Sequence, residues 1–187
     1  ISDWDAKFQK AAAIETSGNL LEAKRAFDEL LHAAVDPARK AGVESKLGKV
    51  NMMLIFSPTP MPEKVEYLVK PGDSVDRIAK KHGVTAELVS LGNNIKNANV
   101  IRPGDQLRIL VGKFAIQIEK KFNTLLLTHN DKYVKRYLVG TGKFGKTPVG
   151  SFAVTDRIAE PPWTKDGRVI PYGDKENILG TRWMAIK

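Results

Sequence analysis

The segment from Gly140 to Gly150 holds the residues whose types and spacing could do chemistry. Its first eight residues fit G-x-x-x-x-G-K-S/T, the loop that cradles nucleotide phosphates between a strand and a helix. Such a loop needs the free N–H groups of a helix N-terminus. Here Pro148 and Gly150 follow the loop, and the run from Ser151 to Asp156 alternates as a strand does. Because a strand cannot aim a row of N–H groups at a phosphate, we expect no nucleotide to bind.

The composition is that of a folded protein, with 42% hydrophobic and 27% charged residues. No run of about 18 apolar residues predicts a membrane span. The chain begins at Ile1 rather than Met, so a removed export signal or anchor is compatible with it. The net charge of +9 favours a polyanionic partner, such as nucleic acid or an anionic bacterial cell wall. Since the basic residues are spread out and interrupted by acidic ones, we do not expect a nucleic-acid groove.

The sequence offers few metal or redox ligands. It contains no cysteine, which excludes disulfides and thiolate metal sites within these residues. Its three histidines, His32, His82 and His129, lie far apart without the spacing of metal ligands. We therefore expect neither a metal nor an organic cofactor.

Residues 1–56 predict three helices in a hairpin or small bundle. Ser2 begins a capping-box pattern, Gly18 ends the first helix, and Asp36 precedes a proline at the start of the third. Small and large residues follow the spacing of a tetratricopeptide repeat, which these positions resemble: Ala11, Ile14, Gly18, Ala23 and Phe27. The resemblance implies a protein partner; a plain helical bundle or the end of a longer array fits equally well. The alternating prolines of 57–63 predict a stiff linker and a domain boundary.

Residues 64–110 predict a strand, two helices and a second strand. The turn at Lys70–Asp73, the helix spacing and the Ile101-Arg-Pro-Gly-Asp-Gln-Leu run together resemble a LysM domain over the whole module. The resemblance implies that glycan containing N-acetylglucosamine binds in a shallow groove between two loops, although Gly72 and Gly104 mainly serve tight turns. The residues expected at this groove are Gly72, Asp73, Ser74, Val75, Asn94, Ile95 and Lys96.

Residues 114–187 predict a β-rich domain that opens with a hairpin. The hairpin and four later runs resemble the start of the YkuD-type L,D-transpeptidase catalytic domain: Gly140–Lys143, Lys146–Phe152, Pro162-Trp163 and Ile178–Trp183. The family uses a cysteine thiolate, assisted by a histidine, to transfer an acyl group between peptidoglycan stem peptides. The resemblance thus implies an α+β multidomain wall protein with peptidoglycan glycan and stem peptides as its partners, in the cell envelope outside the cytoplasm.

The catalytic segments of that family are missing from the sequence. Neither a His-Gly segment nor a Ser-x-Gly-Cys-x-Arg segment occurs in residues 1–187, so we assign no catalytic residue here. We expect these residues to be the incomplete front part of an enzyme, since ending after the apolar run Trp183–Ile186 would expose a strand edge. The alternative is a protein without catalysis that only binds the wall as a scaffold. The reading frame beyond Lys187 would separate the two.

Overall fold

A computed structural model describes residues 2–187, which divide into two compact units with their boundary between Thr141 and Gly142. The order of elements is helices, a mixed module and then strands, which confirms the predicted α+β fold class. In the described part of the chain, no helix has the length and apolar character needed to cross a membrane.

Three helices open the first unit: α1 (Asp3–Thr16), α2 (Leu20–Ala33) and α3 (Pro37–Ile55). Ser2, Asn19 and Asp36 cap their N-termini, and Ser2 forms the predicted capping box with Asp5. Helix α2 packs against both α1 and α3. Their shared core is formed by Ala11, Ala23, Phe27, Leu30, Val43, Leu47, Val50 and Leu54.

The next module has the predicted strand–helix–helix–strand order. It consists of β1 (Lys64–Leu68), α4 (Val75–His82), α5 (Ala86–Gly92), a 3₁₀ turn (Ala98–Val100) and β2 (Gln106–Leu110). β1 and β2 pair antiparallel with Tyr67 opposite Leu107. The helices and strands enclose one core, made of Val69, Val75, Ile78, Ala79, Val89, Leu107 and Ile109. A two-stranded sheet is only marginally stable by itself, so packing against α4 and α5 stabilises it.

Three antiparallel strands complete the first unit: β3 (Phe114–Glu119), β4 (Thr124–His129) and β5 (Lys132–Leu138), with β4 in the middle. The predicted opening hairpin is present, with a bulge in the β4–β5 pairing at Leu127 and Thr128. One face of β5 packs against α3 of the helical segment. The sequence motifs gave no sign of this packing.

The second unit contains two separate strand pairs. β6 (Val154–Ala159) pairs antiparallel with β9 (Arg182–Ile186), and β7 (Trp163–Lys165) forms a hairpin with β8 (Arg168–Ile170). The backbone beyond Thr147 runs into an extended strand, as expected, but the strand begins at Val154 rather than Ser151. The only helical turn near the glycine-rich loop is a three-residue 3₁₀ turn at Lys143–Gly145.

Candidate functional site

The turn between β1 and α4 is held by hydrogen bonds to one carboxylate. Asp73 Oδ2 accepts a hydrogen bond from the Tyr67 hydroxyl and another from the Lys70 backbone N–H, both at 2.8 Å. The Lys70 N–H and the Tyr67 hydroxyl hold the pKa of Asp73 below its ordinary value. The carboxylate therefore stays ionised and keeps the turn in one conformation.

The neighbouring residues hold the same turn from the α4 side. Gly72 lies at φ +83°, in the left-handed region that favours glycine, and its carbonyl accepts a 2.6 Å hydrogen bond from Arg77 Nη1. Ser74 caps α4 by accepting from the Arg77 N–H at 3.3 Å. Val75 is only 1% exposed and belongs to the core, so its backbone alone could meet a ligand.

The turn after α5 is attached to β2 through Asn93. The Asn93 amide donates to the carbonyls of Val89 and Arg108 at 2.8 and 2.9 Å, and its oxygen accepts the Arg108 N–H at 2.7 Å. Asn94 adopts φ 56° in the turn itself. Ile95 is partly buried against the same core that holds Val75, and Lys96 is exposed. The two predicted loops thus rest on one core.

Three residues that position these loops were not among the predicted site residues: Tyr67, Arg77 and Asn93. Tyr67 and Arg77 bond to partners six and five residues away across the turn, whereas Asn93 bonds to β2. Asn93 carried the only local signal, since asparagine is common where a helix ends, yet its bonds to Arg108 span 15 residues. The positions themselves could not have been assigned from spacing.

Two backbone amides of the glycine-rich loop at Gly140–Thr147 donate to acceptors within the loop. The Gly142 N–H donates to Thr147 Oγ1 at 2.7 Å, and the Lys146 N–H donates to the Lys143 carbonyl at 3.3 Å. Phe144, in the middle of the loop, is exposed with φ 56°. The amides bonded in this way are not available as a cradle for phosphate.

His129 lies at the end of β4 rather than in a metal site. Its side chain is 6% exposed, and its Nε2 has no hydrogen-bond partner. Burial lowers the pKa of His129 below its ordinary value, partly offset by a hydrogen bond with the Val111 backbone. Across residues 2–187, no group of three or more His, Cys, Asp or Glu side chains is arranged to hold a metal ion.

Comparison with known families assigns two consecutive regions. Residues 67–110 match the LysM domain, and residues 113–184 match the YkuD L,D-transpeptidase catalytic domain. Both regions lie after the three N-terminal helices. No solved structure matches the chain. The chain carries a LysM domain followed by a YkuD-type L,D-transpeptidase domain, and its function relates to the cell wall.

Proposed function

We propose that this chain binds peptidoglycan through its LysM domain, with the turns at 72–75 and 94–96 as the contact surface for N-acetylglucosamine. The supporting observation is that Asp73 and Arg77 hold the first turn from both sides before any ligand arrives. A turn ordered in advance loses little conformational entropy on binding. The backbone of this turn is the proposed hydrogen-bond partner of the acetamido groups of the sugar.

The charge of the chain fits an extracytoplasmic wall location. The formal net charge is +9, and an anionic wall polymer attracts such a protein over long range. This attraction is sensitive to salt, whereas recognition of the acetamido groups depends on fixed geometry. Salt dependence therefore separates the two contributions to binding.

We further propose that the YkuD region belongs to a domain that acts on stem peptides by cysteine acyl transfer. In that reaction a thiolate attacks the carbonyl of the diamino acid, D-alanine leaves, and an amine of a second stem resolves the thioester. The 187 residues contain no cysteine, so no atom within them can form the thioester. These residues contribute wall binding and not bond making.

A non-catalytic scaffold is the second candidate function, and the absence of a thiol is the observation that favours it. In this case the LysM domain tethers the chain to glycan, and the YkuD region forms no covalent intermediate. Both candidates require glycan binding, so binding is the first property to measure.

The test is co-sedimentation of the full chain with insoluble peptidoglycan, with and without soluble N-acetylglucosamine oligomers as competitor. We expect depletion from the supernatant that the oligomers reverse. Arg77→Gln should weaken binding because it frees the Gly72 carbonyl, and Lys96→Ala should weaken it by removing a groove side chain. The matched control is Arg25→Gln, the same substitution at an exposed position of α2.

Three results would count against the glycan proposal. The first is no depletion at all, and the second is depletion that salt abolishes while the oligomers have no effect. The third is an equal loss in Arg77→Gln and Arg25→Gln, since this would mean that charge alone carries the binding.

A further inference from the structure

Helix α3 presents a polar stripe to the first sheet of the YkuD region. Glu44, Gly48 and Asn51 recur at intervals of four and three residues, which places them on one face of the helix. Glu44 forms a two-point ion pair with Arg136 of β5, in which Nε lies 2.8 Å from Oε2 and Nη2 lies 3.1 Å from Oε1. Paired hydrogen bonds of this kind fix orientation as well as distance.

The backbone of both elements takes part in the same contact. The Tyr133 hydroxyl donates to the Glu44 carbonyl at 2.8 Å. The Asn51 amide donates to the carbonyls of Tyr133 and Val134 at 3.1 and 3.0 Å. Asn51 is 4% exposed, so if its amide were removed, water could not reach these carbonyls to replace the lost hydrogen bonds. The Asn51 side chain therefore suits a strand whose carbonyls lie at this position.

Gly48 lets the strand approach closely. A Cβ at this position would lie 3.2 Å from Cγ of Lys135, which is tighter than ordinary contact, and 3.4 Å from the Tyr133 hydroxyl. Burial raises the pKa of Tyr133 to about 12, so its hydroxyl remains a donor throughout the neutral range. Gly48, the Asn51 amide and the Glu44 carboxylate together form a surface on α3 that fits β5.

The C-terminal end of the same helix contacts the LysM domain. Ile55 of α3 is buried with Leu110 of β2 and Val134 of β5 in one small core. Lys64, at the start of β1, donates from Nζ to the Leu54 carbonyl at 2.6 Å and also to the Ser57 carbonyl. The lysine thus donates to two carbonyls at the C-terminal end of α3, where a cationic side chain is favourable.

We propose that α3 is a bridging helix that fixes the LysM domain and the first sheet of the YkuD region into one rigid body. This role goes beyond glycan binding and does not depend on it. The helical segment is then an internal support rather than a repeat that recruits a separate protein through this face. It also means that the proline-rich linker at 57–63 does not let the LysM domain move as a free tether.

The absence of cysteine allows a direct test, because two labels can be placed without competing thiols. Lys80→Cys on α4 and Gln117→Cys on β3 are both exposed positions outside the stripe. Pulsed electron paramagnetic resonance between spin labels at these sites reports the distance between the LysM domain and the β3–β5 sheet. We expect one narrow distance distribution in the otherwise unchanged chain.

The stripe is then tested with the pair Glu44→Gln and Asn51→Leu, which keep side-chain size but remove the ion pair and the amide donors. We expect the narrow distribution to be lost. The matched control is Glu15→Gln, because Glu15 of α1 forms ion pairs with Lys46 and Lys49 of α3, at 2.9 and 3.1 Å, that do not include a residue of β5. This control should keep the narrow distribution.

A broad distribution in the unchanged chain would overturn the proposal whether or not the variants fold. A narrow distribution in the folded stripe variant would overturn it as well. If the stripe variant unfolds, as judged by loss of its helical circular dichroism while Glu15→Gln stays folded, the stripe is required for the joined fold. Wall binding is measured separately, so the two proposals can fail independently.

Discussion

The two units of the chain bury very different amounts of their side chains. The first unit contains three clusters of buried apolar side chains, contributed by the N-terminal helices, the LysM domain and the three-stranded sheet. In the second unit, only Pro161 and Ile170 are buried among residues 142–187. Yet the YkuD family match runs across the boundary between the units. A family match in the sequence is therefore no guide to how well a stretch of chain is packed.

The contrast is clearest between two sheets of equal size. β1–β2 and β6–β9 are both two-stranded and antiparallel, but α4 and α5 share a buried core with the first pair. Every residue of β6 is exposed. Apolar side chains remain exposed on and beside the second pair: Phe152, Val154, Ile158, Trp183, Met184 and Ile186. Covering helices, rather than strand pairing, account for the stability difference that we expect.

The largest predicted effect is a difference in stability loss when the same Ile→Ala substitution is made in the LysM core and in the β6–β9 sheet. Ile78→Ala removes a side chain that is 1% exposed in the LysM core, and we expect a loss of about 2–5 kcal/mol in the free energy of unfolding. Ile158→Ala removes one that is 38% exposed in β6, where we expect a loss below about 1 kcal/mol. Urea unfolding followed by circular dichroism measures both. Equal losses would show that β6 is packed as tightly as the LysM core.

The second predicted effect concerns the contact between α3 and β5. Because Glu44 and Arg136 are partly shielded and bonded at two points, we expect their coupling energy to be about 1–3 kcal/mol. A double-mutant cycle with Glu44→Gln and Arg136→Met measures this coupling. Lys7 and Asp3, an exposed pair on α1, give the reference cycle, in which we expect the weak coupling of solvent-screened surface pairs. Similar values in both cycles would contradict a specific contact.

The features that could be predicted from the sequence are those that depend on residues close together in the chain. The caps at Ser2 and Asp36, the order of elements in LysM and the opening hairpin all depend on residues within a few positions of one another, and the structure confirms them. The pairing of β6 with β9 and the β7–β8 hairpin were not predicted, because one depends on a distant partner and the other consists of two three-residue strands.

The candidate site also has features that local sequence predicts and others that depend on packing or on distant partners. The turns that contain Gly72 and Asn94 could be located from their turn residues, but the burial of Val75 could not. Glu44 and Asn51 looked like ordinary polar positions of a helix, since their partners follow 92 and 82 or 83 residues later. Whether the groove residues contact glycan stays a prediction.

A smaller predicted effect is a pH dependence that originates in the first unit. Burial holds the pKa of His129 below its ordinary 6.5, while Glu63 favours and Lys132 disfavours its charged form. The unfolded chain therefore binds a proton that the folded chain resists. The stability contributed by neutral His129 is complete above pH 6.5 and is lost as the pH falls through the folded pKa.

Thermal unfolding at a series of pH values measures this dependence. We expect His129→Phe to flatten the fall in melting temperature below pH 6.5. His32→Gln, at an exposed position of α2, is the matched control and should leave the fall unchanged. An unaltered slope in His129→Phe would mean that other groups cause the acid sensitivity.

The smallest predicted effect is an absence of reaction that applies to both units. A carbapenem acylates L,D-transpeptidases at a cysteine thiolate, and these 187 residues contain no thiol. Intact-protein mass spectrometry after incubation should therefore show an unchanged mass, while an L,D-transpeptidase that has its cysteine gains one drug molecule under the same conditions. A covalent adduct on this chain would place a different nucleophile within residues 1–187, and peptide mapping would show which unit holds it. If the adduct lay in the exposed second unit, that unit would have a reactive centre despite its sparse packing.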